Sequence, residues 1–593
     1  MSYEATDNAT NKAGLAYFQK FLLCGVSLIA ANVLVGPRAA QAQVVTVVAG
    51  TYPNPEIIAP GLGLVIDNGA LLTGAPAIYN LTGNSTPLVS IIAGGDVNSD
   101  YTVVQSAGIL NDGTIVALID NGTIIGNSGG VYNNGTIFGL TNTGNIFGSS
   151  IAGVYNANFI GSLANNGGTI LGAQTGVYNQ GTIASLSNSG TIVGIEFTGI
   201  YNDGGTIGNL TNSGSIYGYY EGITNNGLIG TINNLSGGTI YGGSSGINND
   251  TSLKLLSNSG TIGSARNGVY DTGSIGTLIN TSSGLIYGGS IGVGVSTSHG
   301  IAGTISVLSN SGGIYGGKYG VANGSTSSGN SPGYIGSLSN SGTIAGGYTG
   351  VYNTYSSSIA AISNSGTIIG FSDNGIQNDG TIGTITNLGG GTIIGTVSGI
   401  NNNFASIGTL SNQAGGTIFG AQNGVYNFYG SISQLTNAGL IADSTVLDSA
   451  LRNYGGNIGT LTNLGTGTIS GVSFGVHNEF GGVIGTLTNS GTITAQYFAG
   501  VYNQNALIDT LTNNAGGTIT GGTIGIANGS FSSSSTWYGS IGTLTNSGLV
   551  NGGNTGVFNL GSINAVSNSG TISGGFDGIT NRGSIGAISN SGL

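Results

Sequence analysis

Aspartate recurs at one position of this sequence, just after an asparagine, and is the first residue type whose pattern could do chemistry. The residues concerned are Asp112, Asp203, Asp250 and Asp379. Two carboxylates within about 10 Å could act as the acid and base of glycoside hydrolysis. Long stretches of chain separate these aspartates, and aspartate is also a common turn residue. We therefore predict no paired-carboxylate site, no catalytic residue and no enzyme activity.

The residues that could bind a metal do not form a complete pattern. His299 and His477 are far apart, so a shared metal site is not expected, and each is interpreted as a surface residue or a substituted aromatic. Residues 96–100 begin like a calcium-binding loop. Tyr101 replaces the glycine that such a loop needs, however, and Ala107 replaces its terminal acid. The sequence predicts no metal and no cofactor.

Aromatic side chains are the remaining candidates for recognition. Four tyrosines each follow a valine or isoleucine, so alternation along a strand would bury the aliphatic residue and expose the tyrosine. These tyrosines are Tyr132, Tyr155, Tyr178 and Tyr201, and Trp537 and Tyr538 lie together in a longer segment. Exposed aromatics suit sugar rings or a protein partner, so these six residues form a predicted recognition surface. The alternative is that the tyrosines stack on one another and support the fold.

Charged residues are scarce in this chain. Its 593 residues include 8 lysines and arginines and 20 aspartates and glutamates, for a net charge of −12. Binding a phosphate backbone needs clustered basic residues, whereas the basic residues after position 42 are scattered singly. We therefore exclude nucleic acid as a ligand. The 118 glycines are accompanied by aliphatic residues throughout, so the chain can bury a core.

The first 42 residues carry the features of a secretory signal. An apolar stretch, residues 21–35, follows Lys12 and Lys20, and Ala40-Gln41-Ala42 matches a cleavage site. We predict a signal peptide at residues 1–42, cleaved after Ala42, and an exported protein. Because Cys24 lies inside the signal, the mature chain would contain no cysteine and no disulfide.

The candidate side chains described above lie in a chain built of sequence repeats, so the repeats must position them. Gly-Val-Tyr-Asn or a close variant occurs twenty times between Gly108 and Gly578, at steps of 22 to 31 residues. Short β-branched runs separated by Asn, Ser and Gly favour strands, and each unit has too few apolar residues to bury a core alone. We predict an all-β parallel β-helix of about 20 coils with 22–25 residues each. Residues 43–107 are expected to form an N-terminal cap with irregular first coils, and residues 108–593 the regular solenoid.

Asparagine recurs at two places in each unit. One column follows the Val-Tyr pair, and the other precedes Ser-Gly-Thr-Ile or its variant. Stacked amides can bond to one another from coil to coil, so both columns are predicted to be structural ladders at turns. The residues assigned to them are Asn133, Asn156, Asn179 and Asn202 in the first column, and Asn188 and Asn212 in the second.

The signal sequence followed by coils of Asn-Ser-Gly-Thr-Ile-x-Gly and Gly-Val-Tyr-Asn resembles the passenger region of Gram-negative autotransporters, specifically the low-charge, repeat-rich β-solenoid class. The resemblance covers about residues 43–593 and supplies no catalytic motif. It implies display at the cell surface, attached to the outer membrane or released, through a membrane translocator barrel. Because this sequence ends within a repeat at Leu593, we expect that translocator to follow in the same chain or to be a separate partner.

Three functions are compatible with these features. The first is a structural or adhesive surface protein that presents Tyr, Thr and Asn ladders to host or bacterial glycans, matrix or proteins. The second is an ice- or lattice-binding solenoid, since threonines such as Thr460 and Thr462 would form ranks, although serine interrupts these ranks at Ser185 and Ser187. The third, a polysaccharide-processing enzyme, conflicts with the scarcity of charged groups. The adhesive scaffold accounts for every regular feature of the sequence.

Overall fold

The computed structural model describes residues 43–99, 106–298, 300–325, 331–531 and 536–593. The predicted cleavage site after Ala42, Asp100 and His299 lie outside these ranges. The secondary structure of the described residues is β throughout, without a helix. None of them belongs to a helix of the length and hydropathy needed to cross a membrane. The chain divides into two compact units, Met1–Ile262 and Gly263–Leu593.

One coil of the first unit illustrates the fold. It consists of the strands Thr175–Asn179, Thr182–Asn188 and Thr191–Gly194, separated by short turns. Each strand pairs in parallel with the equivalent strand one coil later, in register, so that Val177 lies beside Ile200 and Ile183 beside Ile207. Each unit is therefore a parallel β-solenoid with three sheets. The all-β parallel β-helix predicted from the sequence is confirmed.

The core consists of columns of identical or similar side chains. In the illustrated coil Val177, Ile183, Leu186 and Ile192 are all buried, with at most 1% of their surface exposed. Gly176, which begins the repeat motif, has no room for a side chain, because a Cβ there would lie 2.6 Å from the Ile192 methyl group. Close approach of the backbone at this corner is the physical reason for the glycine in Gly-Val-Tyr-Asn.

The described residues of the first unit form ten coils in whole or in part. Sheet 1 has the strands Gln43–Val47, Leu62–Ile66, Ser85–Ile91, Thr114–Asp120, Thr136–Asn142, Phe159–Asn165, Thr182–Asn188, Thr206–Asn212, Leu228–Asn234 and Ser252–Asn258. Sheet 2 has Gly50–Tyr52, Ala70–Leu72, Asp96–Asn98, Thr123–Gly126, Asn145–Gly148, Thr169–Gly172, Thr191–Gly194, Ser215–Gly218 and Thr239–Gly242. Sheet 3 has Glu56–Ile57, Ile78–Asn80, Ala107–Asn111, Gly129–Asn133, Ala152–Asn156, Thr175–Asn179, Thr198–Asn202, Glu221–Asn225 and Ser245–Asn249. The strand Thr261–Ser264 contains the boundary between the units.

The second unit repeats the same three sheets. Sheet 1 has the strands Ser274–Asn280, Ile301–Asn310, Gly333–Asn340, Ser358–Asn364, Thr381–Asn387, Ser406–Asn412, Ser431–Asn437, Asn457–Asn463, Val483–Asn489, Leu507–Asn513, Ser540–Asn546, Ser562–Asn568 and Ser584–Asn590. Sheet 2 has Leu285–Gly288, Gly313–Gly316, Thr343–Gly346, Thr367–Gly370, Thr392–Gly395, Thr417–Gly420, Leu440–Ala442, Thr468–Gly471, Thr492–Ala495, Thr518–Gly521, Leu549–Gly552 and Thr571–Gly574. Sheet 3 has Asn267–Asp271, Ile291–Val295, Tyr319–Asn323, Thr349–Asn353, Ile376–Asn378, Ser398–Asn403, Asn423–Phe428, Ser449–Tyr454, Phe474–Glu479, Ala499–Gln504, Ile524–Asn528, Thr555–Asn559 and Asp577–Asn581.

The two units together contain about 22 turns. The count exceeds the twenty copies of the motif because the strands Glu56–Ile57 and Ile78–Asn80 already belong to sheet 3. The segment 43–107, expected to be a cap with irregular coils, thus pairs in parallel with the coils that follow it. Two of the longer units contain small antiparallel hairpins, Thr297–Ser298 with the start of Ile301–Asn310, and Ser530–Phe531 with Thr536–Trp537.

Both asparagine columns lie inside the solenoid, on the last or next-to-last residue of a strand. In the first column, which includes Asn133, the fully buried Asn179 accepts a hydrogen bond from Asn156 Nδ2 at 2.8 Å and donates one to Asn202 Oδ1 at 2.8 Å. Its amide also donates to the carbonyl oxygens of Gly181 and Thr206, at 3.1 and 3.2 Å. The second column has the same pattern and links, in order, Asn165, Asn188, Asn212 and Asn234. Each amide therefore satisfies backbone carbonyls at a corner and links consecutive coils.

Candidate functional site

The four tyrosines predicted to form a stripe occupy equivalent positions on consecutive sheet 3 strands of the first unit. The rings of Tyr132 and Tyr155 are 4.3 Å apart and stacked, and those of Tyr155 and Tyr178 are 5.0 Å apart and stacked. The ring of Tyr201 meets that of Tyr178 edge to face at 5.2 Å. All four side chains are half-buried. Much of each aromatic face is therefore covered by the neighbouring tyrosine.

The hydroxyl groups of this stripe are also engaged within the protein. Tyr178 donates to Asp203 Oδ2 at 2.6 Å, and Tyr155 donates to Gln180 Oε1 at 2.5 Å. Burial raises the pKa of Tyr155 to about 12 and also raises that of Tyr178. The hydrogen bond from Tyr178 lowers the pKa of the Asp203 carboxyl. The stripe is thus a stack of neutral phenols held against a carboxylate.

Three of the four recurring aspartates accept hydrogen bonds from tyrosines at this position of the coil. In three coils the tyrosine of the preceding coil donates its hydroxyl hydrogen to the aspartate. The pairs are Tyr79 with Asp112 at 2.7 Å, Tyr178 with Asp203 at 2.6 Å, and Tyr352 with Asp379 at 2.8 Å. The fourth aspartate, Asp250, accepts a hydrogen bond from Asn248 Nδ2 at 3.0 Å. These carboxylates contact side chains of the outer surface, and no two of the four lie on adjacent coils.

His477 belongs to a charged cluster, defined as Asp448, Arg452, His477 and Glu479. Arg452 Nε donates to Glu479 Oε1 at 2.6 Å, and His477 Nε2 lies 3.5 Å from Glu479 Oε2. The histidine takes the tyrosine position of its coil, in register with Tyr502, and its burial lowers the pKa of the imidazole to about 3. His477 and Glu479 are buried, so these two side chains offer a ligand no direct access, whereas Arg452 and Asp448 are partly exposed. Over the described ranges, no three His, Cys, Asp or Glu side chains are placed to hold a metal ion.

Threonines form a regular rank on sheet 1 of the second unit. Two outward threonines separated by one buried leucine occur on four consecutive strands, and the pairs are in register. They are Thr460 and Thr462, Thr486 and Thr488, Thr510 and Thr512, and Thr543 and Thr545. The preceding coil has Gln434 in the first column, and the following coil has Ala565. The rank is therefore continuous over four coils.

The second unit carries a longer aromatic surface, the aromatic row, defined as Phe404, Phe428, Tyr429, Tyr454, Phe480 and Trp537. Ring centroids are 5.2 Å apart for Phe404 and Phe428, 4.8 Å for Phe428 and Tyr429, and 5.4 Å for Tyr429 and Tyr454. Tyr454 stacks on Phe480 at 4.6 Å, and Phe480 lies 5.6 Å from Trp537. The row is a continuous chain of six rings and includes the predicted recognition residue Trp537. Its neighbour Tyr538 is 62% exposed.

Three rings of the row are attached to left-handed backbone. Phe404, Tyr429 and Phe480 have φ angles of 51°, 48° and 52°, a conformation that bulky residues rarely adopt. Each stands two residues after a ladder asparagine, in the turn from sheet 3 to sheet 1. The turn keeps the amides of Phe404 and Tyr429 bonded to carbonyl oxygens of the following coil, both at 2.8 Å. Gly455 and Asn505 occupy the same position on neighbouring coils, with φ of 61° and 50°.

Two grooves follow the turns that carry these rings. The first is an open groove of about 810 Å³ and is lined by Tyr355, Phe404 and Tyr429, together with several serines and glycines. Asp379 is the one charged side chain among the described residues that line it. The second groove, of about 720 Å³, shares Gly481 with the first and includes the predicted recognition residue Tyr538. The aromatic row and the grooves are the candidate binding surface of the second unit.

The sequence analysis identified only one end of this surface. It selected Trp537 and Tyr538 because they lie in a long insertion, whereas the other rings occur in units of nearly normal length. The signal that would have found them is an aromatic residue one or two places after the ladder asparagine, as in Asn427-Phe428-Tyr429. In most of the first unit the same position holds glycine or asparagine.

Comparison of the chain with protein-family models, with curated proteins and with solved structures gives no match.

Proposed function

We propose that this protein is an exported surface scaffold that makes adhesive contacts through the aromatic row, in the manner of an autotransporter passenger. The parallel β-solenoid is the scaffold. The proposal of export and surface display rests on the signal-like residues 1–42 and on the resemblance of the repeats to passenger regions. The partners would be glycans or proteins of host or bacterial surfaces, and the scaffold would carry no enzyme activity.

The observation that carries the proposal is the exposure of aromatic rings where the fold does not require them. Phe404 is 68% exposed, Tyr429 46% and Phe480 40%. Exposed aromatic groups that form a continuous surface mark sites of interaction. The tyrosine stripe of the first unit is less available, because its rings stack on one another and the hydroxyls of Tyr155 and Tyr178 bond to Gln180 and Asp203. The aromatic row is therefore the better candidate for adhesion.

Adhesion can be measured with beads that carry the full mature chain. We expect binding to surfaces coated with cells or with biofilm matrix, and an at least tenfold loss, roughly the effect of 1.4 kcal/mol, when Phe404, Tyr429 and Phe480 are each replaced by asparagine. Asparagine preserves the fold in this design, because Asn505 already adopts the same left-handed turn. Adhesion that is undiminished in this triple variant would refute the assignment of the row.

A matched control removes three exposed aromatic rings that lie outside the row. Phe138, Phe371 and Tyr497 are 55%, 61% and 53% exposed, and all three can be replaced by asparagine. This control variant should adhere like the unchanged protein. An equal loss in both variants would mean that adhesion reflects general surface hydrophobicity and not the aromatic row.

Export is tested separately by mass spectrometry of the protein recovered from the surface or medium of a Gram-negative host. Cleavage after Ala42 gives a mature chain that begins with Gln43. Replacing Ala40 and Ala42 with bulky leucines should prevent cleavage, because signal peptidase sites need small residues at these positions. Retention of residues 1–42 on exported protein would contradict the proposed signal.

The threonine rank supports a second candidate, binding to ice or another crystalline lattice. Its paired hydroxyls repeat by about 6.7 Å along the strand and about 4.8 Å between coils, which gives a regular two-dimensional array. Inhibition of ice recrystallisation is the direct assay, with Thr486→Lys and Thr510→Lys as the disruptive pair and Thr211→Lys on the first unit as control. No inhibition by the unchanged protein would eliminate this candidate.

A further inference from the structure

We infer that the 810 Å³ groove beside the aromatic row is a binding site for a neutral oligosaccharide. This inference rests on the proposed adhesive function and identifies the chemistry of its ligand. The groove lies wholly within the second unit and extends along successive coils from Tyr355 to Val483. An extended polymer segment can therefore contact several coils at equivalent positions.

The rings supply the apolar part of the site. Tyr355 is 74% exposed and Phe404 is 68% exposed, and both line the groove with Tyr429. Consecutive turns are separated by about one strand spacing, about 4.8 Å, so the rings recur at short intervals along the groove. Aromatic faces of this kind pack against the C–H faces of sugar rings while leaving the sugar hydroxyls free to bond.

The polar lining supplies hydrogen bonds without fixed charge. Four residues with hydroxyl side chains line the groove together with the rings: Ser358, Thr381, Ser406 and Ser431. Hydroxyl groups both donate and accept, as sugar hydroxyls do, so either partner of a pair can supply the hydrogen. A few directed polar groups between apolar walls are the usual composition of a ligand site.

Charge selects a neutral ligand over an anionic one. No lysine or arginine is among the described residues that line the groove, and Asp379 would repel a carboxylate or sulfate. The nearby Arg452 is engaged by Glu479 at 2.6 Å and stacks over the rings of Tyr426 and Tyr454 at 5.4 and 5.6 Å. Its guanidinium is therefore committed to the protein, and the groove offers no cation to an acidic glycan.

The backbone gives an independent reason to regard the rings as functional. A left-handed turn at this corner can be made by glycine or asparagine, as Gly455 and Asn505 demonstrate. Placing phenylalanine or tyrosine there costs free energy, because the Cβ crowds the backbone. Strained residues of this kind concentrate at ligand-binding sites. The fold therefore accommodates these rings at a cost that binding can offset.

Isothermal titration calorimetry of the full mature chain tests the inference. The probes are neutral hexasaccharides of glucose, mannose and N-acetylglucosamine in different linkages, and an oligogalacturonate and a heparin hexasaccharide as anionic counterparts. We expect at least one neutral probe to bind and to lose affinity about tenfold or more when Phe404, Tyr429 and Phe480 are replaced by asparagine. The control variant of Phe138, Phe371 and Tyr497 should bind that probe normally, and no anionic probe should bind more tightly.

The outcomes separate this inference from the proposed function. In the first outcome, adhesion needs the aromatic row but no neutral probe binds: only anionic probes bind, or no probe binds and a protein competes for the adhesive surface instead. The neutral-oligosaccharide site is then refuted and the adhesive role stands. If a neutral probe binds equally to the unchanged protein and the triple variant, this site is refuted too. If adhesion does not depend on the row but a neutral probe needs it, the site stands and the adhesive role fails.

Discussion

Replacing Asp120 with asparagine should stabilise the protein in a pH-dependent way. Asp120 is fully buried and occupies the position of a ladder asparagine, in register with Asn142. Its Oδ1 accepts a hydrogen bond from the Gly122 amide at 3.0 Å. Its Oδ2 and the Oδ1 atom of Asn142 are both buried and have no hydrogen-bond partner. A proton on Asp120 Oδ2 would let this atom donate a hydrogen bond to Asn142 Oδ1. The amide group of asparagine makes the same hydrogen bond elsewhere in the ladder.

The magnitude follows from the pKa of this carboxyl group. Burial raises the pKa of Asp120 from 3.8 to about 7, the hydrogen bond from Gly122 opposes the rise, and the nearby Asp96 adds to it. Because the folded state holds the proton more tightly than the unfolded state, stability is lost as the pH rises from about 4 to about 7. The difference between the two pKa values corresponds to about 4 kcal/mol. The asparagine amide of the variant would donate at every pH and avoid this loss.

Amide hydrogen exchange across Thr114–Gly126 is the appropriate assay, since long repeat arrays need not unfold in one step. At about pH 4 the unchanged protein and Asp120→Asn should be equally protected, and at about pH 8 the variant should be more stable by up to about 4 kcal/mol. Asn188→Asp, which places an acid in the same ladder, should show the opposite trend. A stability difference that is the same at both pH values would refute a proton-donating Asp120.

Three further predictions test the ladder, the stripe and the charged cluster. Asn179→Ala should destabilise its coil by about 3 kcal/mol in urea unfolding, because it leaves buried carbonyl and amide groups unpaired, whereas Gln180→Ala should cost less than about 0.5 kcal/mol. Tyr178→Phe should raise the pKa of Asp203, because the substitution removes the main hydrogen bond that lowers this pKa. NMR titration of the Asp203 carboxyl group measures the change, and an unchanged pKa would contradict that cause. Arg452→Met should lower the free energy of unfolding by about 3 kcal/mol at about pH 7, because it leaves the buried carboxylate of Glu479 unpaired. The loss should be smaller at about pH 4, because burial raises the pKa of Glu479 and the group is then protonated. An equal cost at both pH values would show that Arg452 acts through packing alone.

The local sequence determined the class of fold and its repeating unit. Short runs that contain β-branched residues, as in Thr-Ile-x-Gly, favour strands, and Val177 and Ile183 are buried as the alternation of side chains along a strand requires. A unit with so few apolar residues must stack on its neighbours, which is why the spacing of Gly-Val-Tyr-Asn was enough to predict a parallel solenoid. The amide columns were equally visible, since asparagine recurs at fixed places.

Which side chains meet was decided by the tertiary structure. Parallel stacking places residues about 25 apart in sequence side by side, so the pairing of Tyr178 with Asp203 depends on the exact length of the intervening coil. The repeat motif alone does not reveal that length, because turns gain or lose residues from coil to coil. The same applies to His477 and Arg452, which appeared as isolated residues and lie next to one another in the folded chain.

The aromatic row depends on both the sequence and the tertiary structure. The sequence by itself determined that aromatic residues stand after the ladder asparagines, and that the repeat would bring such positions into one column. Only the tertiary structure decided that these turns are left-handed, that their rings point outward to form a groove, and that the four tyrosines of the first unit are largely used in stacking on one another. The physical reason is that a turn's handedness and a ring's exposure depend on hydrogen bonds to the next coil, which no single repeat contains.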